Sequence, residues 1–412
     1  MKSPRRREAE LAERYFPHAH GRLVALLARR FRTTELAPIE DAVQTAMLRA
    51  LETWPRTGAP DAPDAWLYRV AFNLILEQRR TEARRRNIAA SHPELAGDDS
   101  LPADLEAPDA AMVRMLLICC HDRLPRRSQL ILALKLMCGL GVPEIARRLF
   151  ETEAAVYKTL QRARRALRAD TPALLELPLA RLAGRLPRLC EVLYALFCEG
   201  FNALGGERAI RAELCAEAVR LAEVAAATPI GRDPQLAALL ALMHFGLVRL
   251  PGRTGPDGEL LLLAEQDRAV WNRDHIAVGL GWLAQSAAGD KFSRYHAEAG
   301  IAAEHCRAPS WAETDWARIV ACHDLLHAHG TTPLQQLDRA VAIAELRGPE
   351  AGLAALAGIS APSRVEQSYL WLAVTAELNA RLDRAAEAER LRQAAIAAAP
   401  TPWMQQLIAR RA

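Results

Sequence analysis

The chain has 412 residues, 51% hydrophobic but only 5% aromatic. This Ala-, Leu- and Arg-rich mixture favours helix over sheet and is long enough for two to three domains. No stretch approaches eighteen uncharged apolar residues and no apolar run follows the basic start MKSPRRREAELAER, so neither a membrane span nor a signal peptide is expected, and the expected compartment is the cytoplasm. The net charge of +4 hides an asymmetry: residues 1–170 carry 29 Lys+Arg against 22 Asp+Glu, and residues 171–412 carry 24 against 27.

In chain order, residues 8–35 have the apolar spacing of an amphipathic helix, with Leu11, Tyr15, Leu23, Leu26, Leu27 and Phe31 on one face. PIEDAVQTAMLRALET (38–53) predicts a second helix, with Pro38 near its start and Glu40 and Asp41 in its first turn. A Pro/Gly-rich loop, WPRTGAPDAP (54–63), precedes a third helix from Asp64 to Arg86. Residues 87–110 differ in kind. They hold six acidic residues, three prolines and no Lys or Arg, which is the composition of an extended linker. Helical patterns resume at 111–121, 126–138, 142–150 and 153–169.

From Leu174 onward the chain is helical pattern broken by short Gly/Pro turns, which predicts stacked helix pairs, an α-solenoid. Near its end, Leu382-Asp-Arg-Ala-Ala-Glu-Ala388 with Ala395 and Pro400 resembles the second half of a tetratricopeptide repeat, with Asp383 where that repeat usually has Gly. The fold class is therefore all-α. The eight cysteines form no CxxC and no Cys/His set with zinc spacing. Reduced core thiols are expected, with no metal and no cofactor.

Three segments carry chemistry. Basic clusters, Arg79-Arg80, Arg84-Arg85-Arg86, Arg147-Arg148 and Arg162/Arg164/Arg165/Arg168, suggest a phosphate-facing surface, against the plainer reading of solvated Arg-rich helices. The segment 134–167 has a short helix, a tight turn at Phe150–Thr152 and a longer helix, with Ile145, Ala146, Leu149, Val156 and Leu160 turned inward. That is a helix-turn-helix pattern, or else an ordinary αα-hairpin. Its outward set is Ala155, Tyr157, Lys158, Thr159, Arg162 and Arg165. DAVQTAMLRALETWP (41–55) puts Asp41, Gln44, Thr45, Leu48 and Arg49 on a mixed face suited to a protein interface. AWLYRVAFNLILEQRR (65–80) puts Trp66, Arg69, Asn73 and Arg80 near one face, where aromatics stack bases and arginines hold backbone. The alternative is that Trp54 and Trp66 are core aromatics.

In this order and spacing, the segments resemble the sigma-70 family of RNA polymerase initiation factors, in the small class called extracytoplasmic-function sigma factors. The resemblance implies four parts. Residues 1–86 would be region 2, whose 41–55 helix grips the clamp helices of the β′ subunit of core RNA polymerase and whose 65–80 helix, with Arg79 and Arg80, opens and reads the −10 promoter DNA. The 54–63 loop would hold an extruded base. Residues 87–112 would be an acidic linker threading the polymerase cleft. Residues 113–170 would be region 4, which reads the −35 element near the β flap. LCEVLYALFCEGFNAL (189–204) and LQQLDRAVAIAELRGPEAGLAAL (334–356), among others, make residues 171–412 similar to the tetratricopeptide-like extension of one sigma subgroup. Departures are Cys198 before Glu-Gly, Asp338 for Asn, Glu77 for Asp, and Ala155 and Thr159 on the reading helix; the last two bear on promoter sequence. The extension would regulate activity through a protein or ligand partner.

Two rival classes remain at this stage. A duplex-DNA regulator with a ligand-sensing helical domain would not need the 41–55 and 65–80 helices. An enzyme could use His244, Glu265, Asp267, His275, His296, His305 and Asp315 in a solenoid groove, but no HExxH, P-loop, GxGxxG or GxSxG accompanies them. Asp267, Arg268 and Trp271 instead predict a buried ion pair locking neighbouring repeats.

Overall fold

The structure is a computed structural model that describes residues 19–31, 36–85, 108–136, 139–149, 151–168, 177–202, 210–289, 291–328, 332–359 and 363–410. Residues 87–107 of the predicted linker and the side chains of Arg84–Arg86 lie outside the described residues, whereas residues 108–112, given to the linker in the sequence, are helical. Among those described the secondary structure is helical, with no strand and one isolated bridge, Thr254 to Leu260. The chain divides into two compact units, 1–197 with 216–231, and 198–215 with 232–412.

In the first unit, α1 (19–30) buries Leu23, Val24, Leu26 and Leu27, and α2 (Leu36–Thr57) packs on α3 (Pro63–Arg85). In α2 the buried positions Ile39, Val43, Ala46, Met47, Ala50 and Trp54 recur at three and four, so one stripe faces the core. The helix begins at Leu36, so Glu40 and Asp41 fall in its second turn and not in the first. It also runs through the expected loop start to Thr57, with Pro55 inside it. Pro55 removes a single N–H from the last turns, while Trp54, 3% exposed and edge-on to Trp66 at 5.5 Å, anchors that turn in the core. Gly58, at φ +83°, ends the helix, its N–H donating to the Trp54 carbonyl at 2.9 Å.

Four helices follow: α4 (Pro108–Cys119), α5 (Arg126–Leu136), α6 (Val142–Arg148) and α7 (Glu153–Arg168). Helix α4 starts at Pro108, earlier than the predicted 111, because Pro is tolerated in a first turn. Ile145, Ala146, Val156, Leu160, Ala163 and Leu167 are buried where α7 meets α5 and α6, while Leu149 is half-buried. In the α6–α7 turn, the Glu151 N–H donates to the Ala146 carbonyl at 2.8 Å, and Thr152 Oγ1 caps α7 by accepting from the Ala155 N–H at 3.2 Å.

Helices α8 (Leu186–Phe201) and α9 (Ala212–Ala226) begin the extension. The first compact unit includes residues 177–197, beyond the sequence division at 170. Arg185 Nη1 donates to the Leu117 carbonyl at 3.1 Å, Arg114 donates to the Leu177 carbonyl, and Glu191 accepts from both Arg126 and Arg188. These bonds tie the chain ahead of α8, and the first turns of α8, to α4 and α5.

The second unit continues with α10 (Pro234–Arg249), α11 (Arg273–Ser286), α12 (Arg294–Arg307), α13 (Trp316–Ala328), α14 (Pro333–Arg347), α15 (Pro349–Ala357), α16 (Tyr369–Ala380), α17 (Ala385–Ala398) and α18 (Pro402–Ala409). Each packs mainly on its chain neighbours, as stacked helix pairs do. Pro234–Gly252 is apolar enough and long enough to cross a membrane, yet most of it is buried inside the unit. The α16–α17 turn explains one departure from the repeat pattern. Asp383 has φ +58°, the left-handed conformation for which that repeat uses Gly and which Asp tolerates better than most residues. Of the described cysteines, all seven are free thiols; five are buried, and Cys198 and Cys322 are half-buried.

Candidate polymerase and promoter surfaces

Helix α2 turns its second face to solvent. Asp41, Gln44, Leu48 and Arg49 are exposed and Thr45 is half-buried, its hydroxyl donating to the Asp41 carbonyl at 2.7 Å. Leu48 is 60% exposed between polar neighbours. A large apolar side chain there, flanked by a carboxylate, an amide and a guanidinium, has the make-up of a small interface centre with a polar rim.

On α3, Arg69, Asn73 and Arg80 are exposed and Trp66 is half-buried, so all four reach the surface of one helix. Arg79 is placed differently. It is half-buried with its guanidinium 4.6 Å from the centroid of the Phe31 ring, a cation–π contact that holds it beside the α1–α3 core. The two tryptophans separate the two readings open in the sequence: Trp54 is a core residue, whereas Trp66 leaves part of its ring accessible. At the start of α3 a cleft of about 340 Å³ opens between α1 and residues 62–65, walled by Leu23, Leu26 and Pro63 and closed at one side by the Arg22–Asp64 ion pair.

On α7, Tyr157, Lys158, Arg162 and Arg165 are exposed, and Ala155 and Thr159 are half-buried at the same side. The carboxylate-free run Tyr157–Arg165 presents a cationic stripe, while Val156, Leu160 and Ala163 fix the opposite face in the core. Arg127, from α5, braces the turn by donating to the Leu149 carbonyl at 2.8 Å and pairing with Glu151 at 2.6 Å.

One contact was not legible in the sequence. Arg164, between the outward arginines, turns back and donates to Glu40 Oε2 of α2 at 2.5 Å. Burial pushes the Glu40 carboxyl up to about 7, against the pull of Arg164 and Lys135 and with a smaller push from Asp41. Beside it, His20 of α1 is buried and held down at about 4, first by burial and then by Lys135 of α5. Helices α2 and α7 are thus joined by a largely buried, charge-assisted hydrogen bond.

No cluster of three or more metal-ligating groups occurs among the described residues. His244 and His275 meet through their Nδ1 atoms at 3.0 Å, whereas His296 Nε2 bonds the Ser286 carbonyl at 3.1 Å. Glu265 accepts from the Leu262 N–H at 2.7 Å and from Arg410 at 2.9 Å. The predicted ion pair of Asp267 with Arg268 is absent. Asp267 caps a 3-10 turn by accepting from the Ala269 N–H at 2.8 Å. Arg268 instead donates to the His305 and Ala308 carbonyls, at 2.7 and 2.5 Å, and lies over Trp271. The inter-helix lock exists, but carbonyls and an aromatic face make it, because Asp267 is spent on its own turn.

A three-helix bundle joined to a helix-turn-helix, each with a polar face turned outward, defines a helical protein built to meet nucleic acid and a protein partner. The comparisons with known proteins agree. The sigma-70 region 2 family matches residues 18–85 and the sigma-70 region 4 family matches residues 114–167. A family of unknown function, DUF6596, matches residues 185–287. The ECF RNA polymerase sigma factor SigL of Mycobacterium tuberculosis is 33% identical over 140 residues, 33% of this chain and 76% of that protein. An uncharacterized protein of Rhizobium meliloti is 32% identical over 393 residues, 92% of this chain and 90% of that one. No solved structure matches. The chain belongs to the sigma-70 family, in its extracytoplasmic-function class, with a helical C-terminal extension. It is an RNA polymerase sigma factor that binds core polymerase and promoter DNA and directs initiation.

Proposed function

We propose that the three outward faces divide the work of initiation. Asp41, Gln44, Thr45, Leu48 and Arg49 dock on the β′ clamp helices of core polymerase, Leu48 filling a hollow and its neighbours fixing register. Trp66, Arg69, Asn73 and Arg80 meet the −10 strand, the ring stacking on a base and the arginines holding backbone. Arg79 contributes charge from its place over Phe31. The cleft beside Leu23 and Pro63 takes a base swung out of the duplex, whose unstacking is offset by apolar walls. On α7, Lys158 and Thr159 read base edges of the −35 element in the major groove, with Ala155 and Tyr157 against the bases, while Arg162 and Arg165 hold phosphates. Region 4 also sits near the β flap. The protein works where polymerase does, in the cytoplasm, and nothing in this mechanism calls for a catalytic group.

The observation that carries the reading is the alternation on α2, α3 and α7: every proposed contact residue reaches the surface at least in part, while the residues between them close one core. The extension is regulatory in this reading, and in the positive sense. The bonds of Glu191 to Arg126 and of Arg185 to Leu117 support this reading, because they tie the start of the extension to region 4. The deciding experiment is in vitro transcription by core polymerase with the full chain and with Leu48→Asp. Leu48 is on the surface, so the substitution changes folding by no more than about 0.5 kcal/mol. The parent should co-elute with core enzyme and yield promoter-dependent transcripts, and the variant should lose both while its melting is unchanged. A variant that still co-elutes would remove α2 from the polymerase interface.

A further inference from the structure

The second unit gathers three arginines, Arg249, Arg253 and Arg268, that pair with no carboxylate among the described residues. Helix α10 ends at Arg249, and the turn Leu250–Gly252 leads straight to Arg253. The guanidinium carbons of both lie on the Phe201 ring, at 5.8 Å and 3.9 Å from its centroid, and Arg253 also donates to the Phe201 carbonyl. Arg268 lies 4.9 Å from the centroid of Trp271 and bonds the His305 carbonyl of α12. Gly252 joins the two halves of the cluster: a Cβ there would fall 3.0 Å from Trp271 Nε1. Phe201, Arg249, Arg253, Arg268 and His305 are half-buried and Trp271 is buried, so the cluster still reaches solvent.

Two independent observations point to a ligand. First, no carboxylate among the described residues pairs with Arg249, Arg253 or Arg268. Glu313, the acid felt by Arg268, accepts from the Ser310 hydroxyl at 2.7 Å. The other group that could offset Arg249 is the Cys306 thiol, which burial raises to about 11 and so keeps neutral. Burial, and for Arg253 the neighbouring Arg249, lowers both Arg249 and Arg253 to about 10, yet a guanidinium stays charged there. Second, four buried nitrogens in this cluster have no acceptor in the protein: Arg249 Nε, Arg268 Nη2, Trp271 Nε1 and His305 Nδ1. Buried donors are normally satisfied, and a cluster with three arginines unpaired by any carboxylate and several idle N–H groups is unfavourable as it stands.

We propose that Arg249, Arg253, Arg268, Trp271 and His305 form a binding site for a phosphate-type oxyanion, free or carried on a small molecule. The donors come from the end of α10, from two turns and from α12, so a ligand held by them would be met from several directions. A tetrahedral dianion offers acceptors in as many directions and about two charges, whereas a carboxylate offers two oxygens and one. His305, whose ring is held down at about 4 by burial and by Arg249 and Arg268, is neutral and donates one N–H without adding charge.

The test is thermal melting of the full chain in chloride, inorganic phosphate, glycerol phosphate and acetate at one ionic strength, for the parent and for Arg249→Met. The parent transition should rise by about 5 °C or more at saturating phosphate or glycerol phosphate, as expected for a ligand near a hundred times its dissociation constant. A response to inorganic phosphate alone assigns the free anion, and a stronger response to glycerol phosphate assigns a carried phosphoryl group. The Arg249→Met protein should lose the response and, in chloride, melt no lower than the parent, because a buried unpaired charge has been replaced by an apolar chain of similar length. Equal melting in all four salts overturns the site, as does a variant that still responds. An equal response to acetate overturns the phosphate class. A variant that melts lower in chloride, with a parent indifferent to phosphate, makes the cluster a purely structural one.

Discussion

Two residues show how a single position departs from its sequence context. Glu40 is written in the sequence as one more acid on a helix near Asp41, yet its side chain is 4% exposed and paired to Arg164. Its folded pKa, about 7, lies above its ordinary value, so the closed state holds the proton more tightly than the open one. The stability this adds is complete below about 4.5 and is lost as pH rises through about 7. His20 has the opposite sign, its pKa being lowered from 6.5 to about 4, so its contribution changes only below 6.5. Between pH 6.5 and 8 Glu40 therefore acts alone of the two, and the α2–α7 contact should weaken by about 1 kcal/mol. Hydrogen exchange of Leu36–Thr57 and Glu153–Arg168, corrected for intrinsic rates, should show that loss of protection, and Glu40→Gln should abolish its pH dependence. Unchanged protection in the parent would mean the carboxyl is already ionised. Asp383 gives the second case. With φ at +58° and an exposed side chain, Asp383→Val should cost about 1 kcal/mol or more, whereas Asp383→Gly should cost nothing. Equal melting of the two variants would show that the turn relaxes.

At the scale of elements, α7 divides its residues by face. Val156, Leu160 and Ala163 hold it on α5 and α6, Arg164 ties its edge to α2, and the remaining polar residues stay outside. Lys158→Ala and Thr159→Ala should change which −35 base pairs are preferred, with total affinity less affected. Arg162→Ala and Arg165→Ala should weaken binding on every sequence and flatten the salt dependence by about one unit each at most, since each removes one phosphate contact. Footprints at two salt concentrations check this, and variants that match the parent at both would take these side chains off the DNA. The same face is one residue from the Glu40–Arg164 pair, so the proposed DNA contacts and the closed contact lie on neighbouring parts of one helix.

At the scale of the molecule, the extension does not begin where its sequence pattern begins. Residues 177–197 and 216–231 belong to the compact unit that holds regions 2 and 4. Leu182, Leu186, Leu189 and Leu193 are buried there, and Arg185 reaches the Leu117 carbonyl. A fragment ending at 170 loses these apolar contacts and exposes their partners on α4, whereas one ending at 231 keeps the unit entire. The 1–231 fragment should therefore melt at least several degrees above the 1–170 fragment, each buried leucine contributing about 2 kcal/mol. Equal melting would show that region 4 needs no support from α8. The rest of the extension belongs to the second unit, where the arginine cluster at Arg249 is the proposed oxyanion site.

What the sequence determined by itself is whatever depends on local spacing. The 3.6-residue stripes on α2, α3 and α7 set which side chains face out, and Trp66, Leu48 and the Lys158–Arg165 set were legible for that reason. The order of three helical segments, in two domains joined by an acidic linker, was enough to identify the class. Helix ends were less legible, because Trp54 and Pro55 belong to α2 only once Trp66 is there to pack against. Tertiary structure alone decided the pairing of Glu40 with Arg164, 124 residues apart, and the withdrawal of Arg79 onto Phe31. It also sent Arg268 to carbonyls on α12 and gathered Arg249, Arg253 and His305 around it. No local pattern encodes such contacts, because their energy comes from burying charge beside particular neighbours, and those neighbours are chosen by the packing of whole helices.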